Sequence, residues 1–143
     1  CLDVLYHRNV EDDVEAIKEI SRVLKPNGRI FITDSAMMCL YGRHDFAHHG
    51  ARRYSKKELK NKLNRAGFTT EKLTYYNTTL FPLVYITRKS DKLFRKNKAK
   101  SDVQEINFFV NWFLEKLFKF ELTFLRFINY PFGVGIFCVA KKI

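Results

Sequence analysis

The sequence has 143 residues, of which 46% are hydrophobic and 29% charged, and a formal net charge of +11 at pH 7. This length is enough for one domain with a buried core, and the apolar content excludes a disordered chain. The first residues lack the basic-then-apolar layout of a signal peptide, and no uncharged apolar run reaches the roughly eighteen residues of a membrane-spanning helix. The positive charge favours an acidic partner, such as nucleic acid, an anionic membrane surface or a phosphorylated substrate.

The three cysteines, Cys1, Cys39 and Cys138, are far apart in the chain and form no CxxC motif. An odd and scattered set predicts neither a disulfide framework nor a zinc site and is typical of a reducing compartment. We therefore expect a cytoplasmic protein.

The first third of the chain alternates between strand-like and helix-like segments. A nearly continuous apolar run over Cys1–Tyr6 predicts a buried parallel strand. A helix is predicted from Asp12 to the turn at Lys25–Gly28, and Arg29–Thr33 predicts a second strand. One face of this helix carries its apolar residues, Val14, Ile17, Ile20 and Leu24.

A turn-rich loop with several histidines is predicted from Asp34 to Tyr54. Ser55 and Glu58 then form a capping box, which predicts a helix that ends at Gly67. Phe68–Tyr76 predicts a third strand.

The last part of the chain combines a basic segment, a long helix and a final strand. Residues 86–100 are strongly basic and predict a linker, residues 102–130 predict a helix, and Gly133–Lys141 predicts a strand. The predicted core face of the long helix comprises Ile106, Phe109, Val110, Phe113, Leu117, Phe120, Phe124 and Ile128. Its other side also carries apolar residues, among them Trp112, so a second neighbour is expected there: a missing part of the protein, a second copy or a membrane.

The basic residues between 88 and 100 suit anionic lipid headgroups, and a solvated basic loop is the alternative interpretation. We therefore expect a peripheral membrane contact through residues 88–100 and the helix of residues 102–130.

Strands that alternate with helices are typical of an α/β fold with a mainly parallel sheet and right-handed crossovers. Four strands would make a small sheet, and the first strand would have an unpaired edge. We therefore expect that an N-terminal half of the fold is absent from this sequence.

Several motifs in order carry a resemblance to a known family. The stretch LDVLYHRNVEDDVEAIKEISRVLKPNGRIFITDSA contains an aromatic–His strand end at Tyr6 and His7 and an RVLKPGG-like turn in which Asn27 replaces one glycine. The segments HDFAHHGARRYSKKEL, AGF, NTTLFPLVYITRK and PFGVGIFCVAKK follow. In this order they resemble the second half of class I S-adenosylmethionine-dependent methyltransferases, in the type 11-like subgroup that carries an H-D…H…R-R-Y segment.

The resemblance implies a Rossmann-like α/β sheet of which this chain supplies the fourth to seventh strands. The last strand would run antiparallel between the fifth and sixth, and residues 1–143 would be the C-terminal part of one domain with a helical insertion at about 77–130. The implied cofactor is S-adenosylmethionine, but the family's glycine-rich loop has no counterpart here. Gly133 and Gly135 open a strand rather than a helix, so they do not form such a loop.

By the same resemblance, Leu5, Tyr6 and His7 face the methionine part of the cofactor. Ligands of open α/β sheets bind at the carboxyl ends of strands, where these residues are predicted to lie. The alternative for His7 is a hydrogen bond to the backbone that holds the strand end.

The predicted loop supplies the candidate catalytic residues His44, Asp45, His48, Arg53 and Tyr54. Histidine and aspartate can act as a general base or orient an acceptor hydroxyl. They are also metal-ligand types, but their spacing matches no recognised metal pattern, so no metal site is predicted.

Arg52, Arg53 and Tyr54 can bind an anionic substrate, because a guanidinium binds carboxylate or phosphate in a bidentate way. The alternative is a structural latch in which Arg53 pairs with a loop carboxylate such as Asp45.

Three function classes follow from these patterns. The first is the substrate-side half of a methyltransferase that acts on a small, lipid-linked or glycan-type acceptor. The second is a non-catalytic, truncated binding module that contacts a membrane surface or a protein partner. The third is a nucleic-acid binder, which we do not expect, because no recognised motif supports it and the basic residues do not interleave with aromatic ones.

Overall fold

The computed structural model of the chain describes residues 1–93 and 107–143, without the side chains of residues 91–93. The helices and strands follow one another along the chain in this order: α1 (Asp13–Val23), β1 (Arg29–Ser35), a 3-10 helix (Met38–Leu40), α2 (Arg43–Ala47), α3 (Lys56–Arg65), β2 (Phe68–Tyr76), α4 (Phe81–Leu93), α5 (Phe108–Leu125) and β3 (Gly135–Lys142). The described parts of the chain thus form an α/β structure.

The three strands form one open sheet in the order β1-β3-β2, and β3 runs antiparallel to both neighbours. Cys138, near the middle of β3, lies opposite Ile32 of β1 and Leu73 of β2. The expectation of a mainly parallel sheet is therefore wrong for the described residues. β1 and β2 do run in the same direction, but they are separated by a reversed strand. This position of the last strand agrees with what the resemblance implied.

The predicted strand at Cys1–Tyr6 does not form. Only Leu2 makes an isolated parallel bridge to Thr33 of β1, supported by a hydrogen bond of 2.8 Å from the Asp3 amide to the Thr33 carbonyl. Asp3 adopts a φ of 53°, which interrupts the extended conformation, and the amide of His7 then closes a turn onto the carbonyl of Val4 at 3.1 Å. The apolar run predicted burial correctly at Leu5, which is 1% exposed, but it could not predict the turn.

The two helices predicted in the first half are confirmed to within one or two residues at their ends. The Asp12 carboxylate accepts hydrogen bonds from the amides of Val14 and Glu15, and the Ser55 hydroxyl accepts one from the amide of Glu58. Such N-caps each stabilise a helix by about 1 kcal/mol. The turn after α1 contains Asn27 at a φ of 63°, a conformation that asparagine tolerates better than most residues.

The core lies between the sheet and the helices α1 and α3. Its buried members come from all three strands, both helices and the segments next to them: Leu5, Ile17, Ile30, Ile32, Ala36, Tyr54, Leu59, Leu63, Phe68, Ile136, Cys138 and Ala140. Phe31, on the opposite face of β1, remains 53% exposed. The amphipathic patterns of α1 and α3 therefore predicted the covered face correctly.

The second half of the chain differs most from expectation. The basic segment is not a linker throughout, because residues 86–93 belong to α4, whereas residues 94–100 lie outside the described residues. The long helix spans Phe108 to Leu125, so its predicted end at residue 130 is wrong by five residues. Residues 102–106, with Ile106 of the predicted core face, lie outside the described residues.

The predicted core face of α5 is exposed. Its most exposed members are Phe109 (76%), Phe113 (59%) and Phe120 (63%), and Val110, Phe124 and Ile128 are exposed as well. The only fully buried residue of α5 is Glu121. An apolar stripe shows that a helix has a side that favours an apolar neighbour, but it does not identify that neighbour.

Glu121 ties α5 to the turn before α4. Its carboxylate accepts hydrogen bonds from the backbone amides of Thr78 and Thr79 at 2.9 and 3.2 Å. The following segment is tied to β2, because the amide of Tyr130 donates to the Thr74 hydroxyl at 2.8 Å. None of the helices described in the two resolved ranges is long and apolar enough to cross a membrane.

Candidate functional site

The polar loop between β1 and α3 starts and ends at the carboxyl end of β1. The Tyr54 amide donates to the Ser35 carbonyl at 2.9 Å, and the Met37 amide donates to the Tyr54 carbonyl at 3.1 Å. These two bonds close the loop at its base. Residues 37–53 are therefore held next to the edge of the sheet at which open α/β folds bind ligands.

The segment that contains Leu5, Tyr6 and His7 runs alongside this loop. The Ala51 amide donates to the Tyr6 carbonyl at 2.8 Å, and the Arg8 amide donates to the His49 carbonyl at 2.9 Å. Gly50 lies between these bonds, and a Cβ atom there would be 3.1 Å from the Tyr6 ring and 3.3 Å from the Asp45 side chain. The two segments singled out in the sequence are thus in direct contact.

Asp45 and Arg53 form a buried ion pair inside the loop. Arg53 Nε donates to Asp45 Oδ1 at 2.8 Å, and its second donor reaches the Ala36 carbonyl at 3.0 Å. The other Asp45 oxygen accepts from the Gly42 amide at 2.8 Å. Only 2% of Asp45 and 4% of Arg53 are exposed. This is the contact that the latch interpretation predicted, and it occupies the guanidinium that the anion-binding interpretation requires.

Tyr54 is also held inside the protein. Its hydroxyl donates to Asp13 Oδ2 at 2.6 Å and lies 3.0 Å from the Leu5 carbonyl oxygen. Burial raises the pKa of Tyr54 far above its usual range, and the neighbouring Asp13 carboxylate raises it further. The Tyr54 hydroxyl is therefore a stable donor that joins the loop to α1.

Asp13 is the acidic centre of this connection. Lys62 of α3 and Arg52 of the loop lie 2.5 and 3.3 Å from its Oδ2 atom. Burial raises the pKa of Asp13, but hydrogen bonds from Lys62 and Tyr54 and the charges of Lys62 and Arg52 outweigh this effect and lower the pKa overall. Asp13 thus remains ionised at neutral pH and links three elements.

The histidines form two ring contacts near the surface of the loop. His44, in α2, and His48, the residue just after α2, lie one turn apart, with ring centroids 4.2 Å from each other. The buried Nε2 atom of His48 has no hydrogen-bond partner among the described residues. The rings of His7 and His49 lie edge to face, with their centroids 5.9 Å apart. The Nδ1 atom of His7 accepts a hydrogen bond from the Asn9 amide at 3.2 Å, as its structural interpretation predicted.

Asp34, at the carboxyl end of β1, is fully buried. Its Oδ1 atom accepts from the Ser35 amide at 2.8 Å, whereas its Oδ2 atom has no hydrogen-bond partner within the described ranges. Burial raises the pKa of Asp34 to about 7, although the amides of Ser35, Tyr6 and Leu5 oppose this rise. A carboxyl group in this state can take up or release a proton near neutral pH.

Tyr6 lies near carboxyl groups from three segments. Burial raises the pKa of its hydroxyl, and the charges of Asp3, Asp34 and Asp45 raise it further. One of these carboxyl groups, Asp45, is paired with Arg53.

The glycines at the start of the last strand provide space for tyrosines. A Cβ atom on Gly133 would be 2.3 Å from the Tyr76 carbonyl oxygen, and one on Gly135 would be 2.2 Å from the Tyr76 ring. Burial raises the pKa of Tyr76 to about 12, with a further contribution from Asp3 and Asp34. These glycines therefore serve side-chain packing beside β1.

Comparison with known proteins gives no relative: neither the protein-family models nor the curated proteins match this chain. Across residues 1–93 and 107–143, no group of three or more His, Cys, Asp or Glu side chains is arranged to hold a metal ion.

The structure thus brings Leu5, Tyr6 and His7 together with the candidate loop, but it separates the loop residues into two sets. Asp45, Arg53 and Tyr54 are buried and bound to protein groups, whereas His44 and His48 lie in a partly buried ring pair. Sequence reasoning missed Asp13 and Asp34. The Asp-Ser pair that follows the strand predicted at Arg29–Thr33 could have indicated Asp34. The acidic residues in the first turn of α1 could have indicated Asp13.

Proposed function

We propose that this chain is the substrate-side half of an S-adenosylmethionine-dependent methyltransferase that acts on a small, lipid-linked or glycan-type acceptor. The observation that carries the proposal is the pairing of Tyr6 and Arg8 with His49 and Ala51 at the carboxyl end of β1. The segment that resembles a cofactor-facing strand end is thereby adjacent to the loop that resembles an acceptor-facing segment. The reversed β3 between β1 and β2 supports the same proposal.

The fit of the cofactor to the described residues is partial. Leu5, Tyr6 and His7, which lie against the loop, would hold the methionine part of S-adenosylmethionine. When bound, the cofactor supplies an electrophilic methyl group. The groups that would hold the adenosine have no counterpart in this sequence, because its Gly133 and Gly135 are packed against Tyr76.

The loop residues have two tasks in this proposal. His44 and His48 are the candidate general bases, since an imidazole can accept the acceptor's proton, and their rings contact each other. Asp45, Arg53 and Tyr54 hold the loop in place, which fixes the angle at which an acceptor would approach. They are thus positioning residues rather than groups that touch the acceptor.

Binding of the cofactor tests the proposal directly. The complete natural reading frame that contains residues 1–143 should bind S-adenosylmethionine with micromolar affinity in a calorimetric titration, and the 143-residue chain alone should show no useful affinity. In the complete enzyme, His48→Ala and His44→Ala should each lower turnover by on the order of a hundredfold, the usual scale for a lost acid–base group. No binding by the complete protein would overturn the proposal.

A non-catalytic binding module is the second candidate. The exposed aromatic residues of α5 favour it, because a surface of this kind serves binding and has no role in methyl transfer. A complete protein that binds vesicles but not S-adenosylmethionine would support this candidate instead.

A further inference from the structure

The exposed side of α5 has the composition of a surface that contacts lipid. Phe109, Phe113, Phe120 and Phe124 lie within about 60° of one another around the helix axis, since each residue adds about 100°. They are between 38% and 76% exposed. The helix has 18 residues and is therefore about 27 Å long, so these side chains form an extended aromatic stripe.

Cationic side chains border this aromatic stripe on one side. Lys116 lies over the Trp112 ring at 5.9 Å, and Lys119 follows one position before Phe120. Trp112 itself is 53% exposed. Aromatic rings next to lysines are the arrangement that interfacial helices use, because the rings enter the headgroup region while the ammonium groups contact anionic headgroups.

A neighbouring side of α5 holds the helix on the protein. Glu121 binds the turn before α4, and the Tyr130 hydroxyl donates to the Glu121 carbonyl at 3.2 Å. Glu121 lies about 60° to 120° around the helix axis from the members of the aromatic stripe, and they remain exposed beside this anchor.

We propose that the aromatic stripe of α5 docks the protein onto an anionic membrane surface. The helix lies in the plane of the interface, with Phe109, Phe113, Phe120 and Phe124 in the headgroup and upper acyl region. The net charge of +11 adds a long-range attraction to such a surface. This contact goes beyond the proposed methyl transfer and does not depend on it.

Charge favours a membrane over a second copy of the chain as the occupant. Two copies that met through the stripe would each bring the same high positive charge to the contact. Anionic headgroups instead neutralise this charge.

Trp112, the only tryptophan of the chain, reports on the contact directly. Vesicles of phosphatidylcholine with phosphatidylglycerol should shift its fluorescence to shorter wavelength, protect it from acrylamide and sediment the protein at low salt. Vesicles of phosphatidylcholine alone should bind at least tenfold less protein, and high salt should weaken binding to the anionic vesicles.

Matched variants separate the stripe from general surface properties. Phe113→Glu combined with Phe120→Glu should lower binding at least tenfold, whereas Val23→Glu, which changes a residue of 65% exposure on α1, should not. Lys116→Glu should weaken binding to anionic vesicles, whereas Lys60→Glu on α3 should have a much smaller effect.

Three results would overturn the proposal. The first is the absence of sedimentation with anionic vesicles at low salt. The second is equal binding by the stripe variant and the Val23 control. The third is a fluorescence shift that depends on protein concentration without vesicles, together with a dimer in light scattering, which would assign the stripe to contact between copies.

Discussion

The protein accommodates its buried carboxyl groups in different ways. Asp45 is neutralised by Arg53, and Asp13 is neutralised by Lys62 and Arg52. Among the residues that the structure describes, Asp34 has no such cation. Its pKa is raised to about 7, so near neutral pH a large fraction is protonated. Burial without a cationic partner favours the neutral carboxylic acid. Because the folded and unfolded states then hold the Asp34 proton to different pH values, the free energy of unfolding depends on pH.

Asp34 predicts that the protein becomes less stable as the pH rises from about 5 to 8. The folded state keeps the Asp34 proton up to a pH of about 7, whereas an unfolded aspartate releases it near 3.9, so unfolding releases a proton in this window. The melting temperature of the native protein should fall by several degrees between these pH values, and the fall should be smaller in Asp34→Asn. An equal fall in both proteins would show that Asp34 is ionised in the folded state.

The Asp45–Arg53 pair predicts a large loss of stability when Arg53 is removed. Arg53→Ala leaves a buried carboxylate without its cation, which costs about 3–5 kcal/mol. Urea unfolding measures this loss, and Arg22→Ala is the control, because Arg22 pairs with Glu19 on the solvent-exposed side of α1 and should leave the midpoint nearly unchanged. Unchanged stability in Arg53→Ala would instead restore the anion-binding interpretation of this residue.

The helix α5 is attached to the protein in part through one buried acidic side chain. The Glu121 carboxylate accepts hydrogen bonds from two consecutive amides, those of Thr78 and Thr79. These amides precede α4, so the same carboxylate fixes the start of the neighbouring helix. A buried acid in the middle of an apolar helix thus has a structural explanation here.

Glu121→Ala should therefore loosen the junction between β2 and α4. Without the carboxylate, the amides of Thr78 and Thr79 lose charge-assisted hydrogen bonds worth about 1.5–3 kcal/mol each. Native-state hydrogen exchange at these two amides should become at least tenfold faster, while the amides of β3 keep their protection. Glu115→Ala, which removes an exposed glutamate of the same helix, should leave exchange at Thr78 and Thr79 unchanged.

At the scale of the whole molecule, the parts that could be predicted from sequence are those with a local cause. The acidic start at Asp12 and the apolar face of α1 predicted the first helix, and the capping box of Ser55 and Glu58 predicted α3. Residues 68–76 predicted β2. Two other expectations failed. The Cys1–Tyr6 run leaves the extended conformation at Asp3, so the predicted strand does not form. The position of α5 depends on hydrogen bonds to Glu121 from residues 42 and 43 positions earlier in the chain, which no local pattern predicts.

The sequence predicted the residue types of the candidate site but not their internal organisation. Leu5–His7 were expected at the carboxyl end of a strand, and the structure pairs this segment with the loop. The residue type alone could not show whether Arg53 faces an acceptor or pairs with Asp45, because a guanidinium can do either. Only the tertiary contacts separate these alternatives.

The position of β3 has a consequence for the order in which the protein is assembled during synthesis. Within the described sheet, β1 and β2 each pair with β3, which follows both of them in the chain, and their other pairings in the described residues are isolated bridges. While the ribosome is still translating the preceding segments, β1 and β2 have no partner in the sheet, and their pairing groups remain available to other chains. β3 must therefore pair with the free edges of β1 and β2 after it leaves the ribosome. We expect a nascent chain stalled before Gly135 to be the form most prone to aggregation.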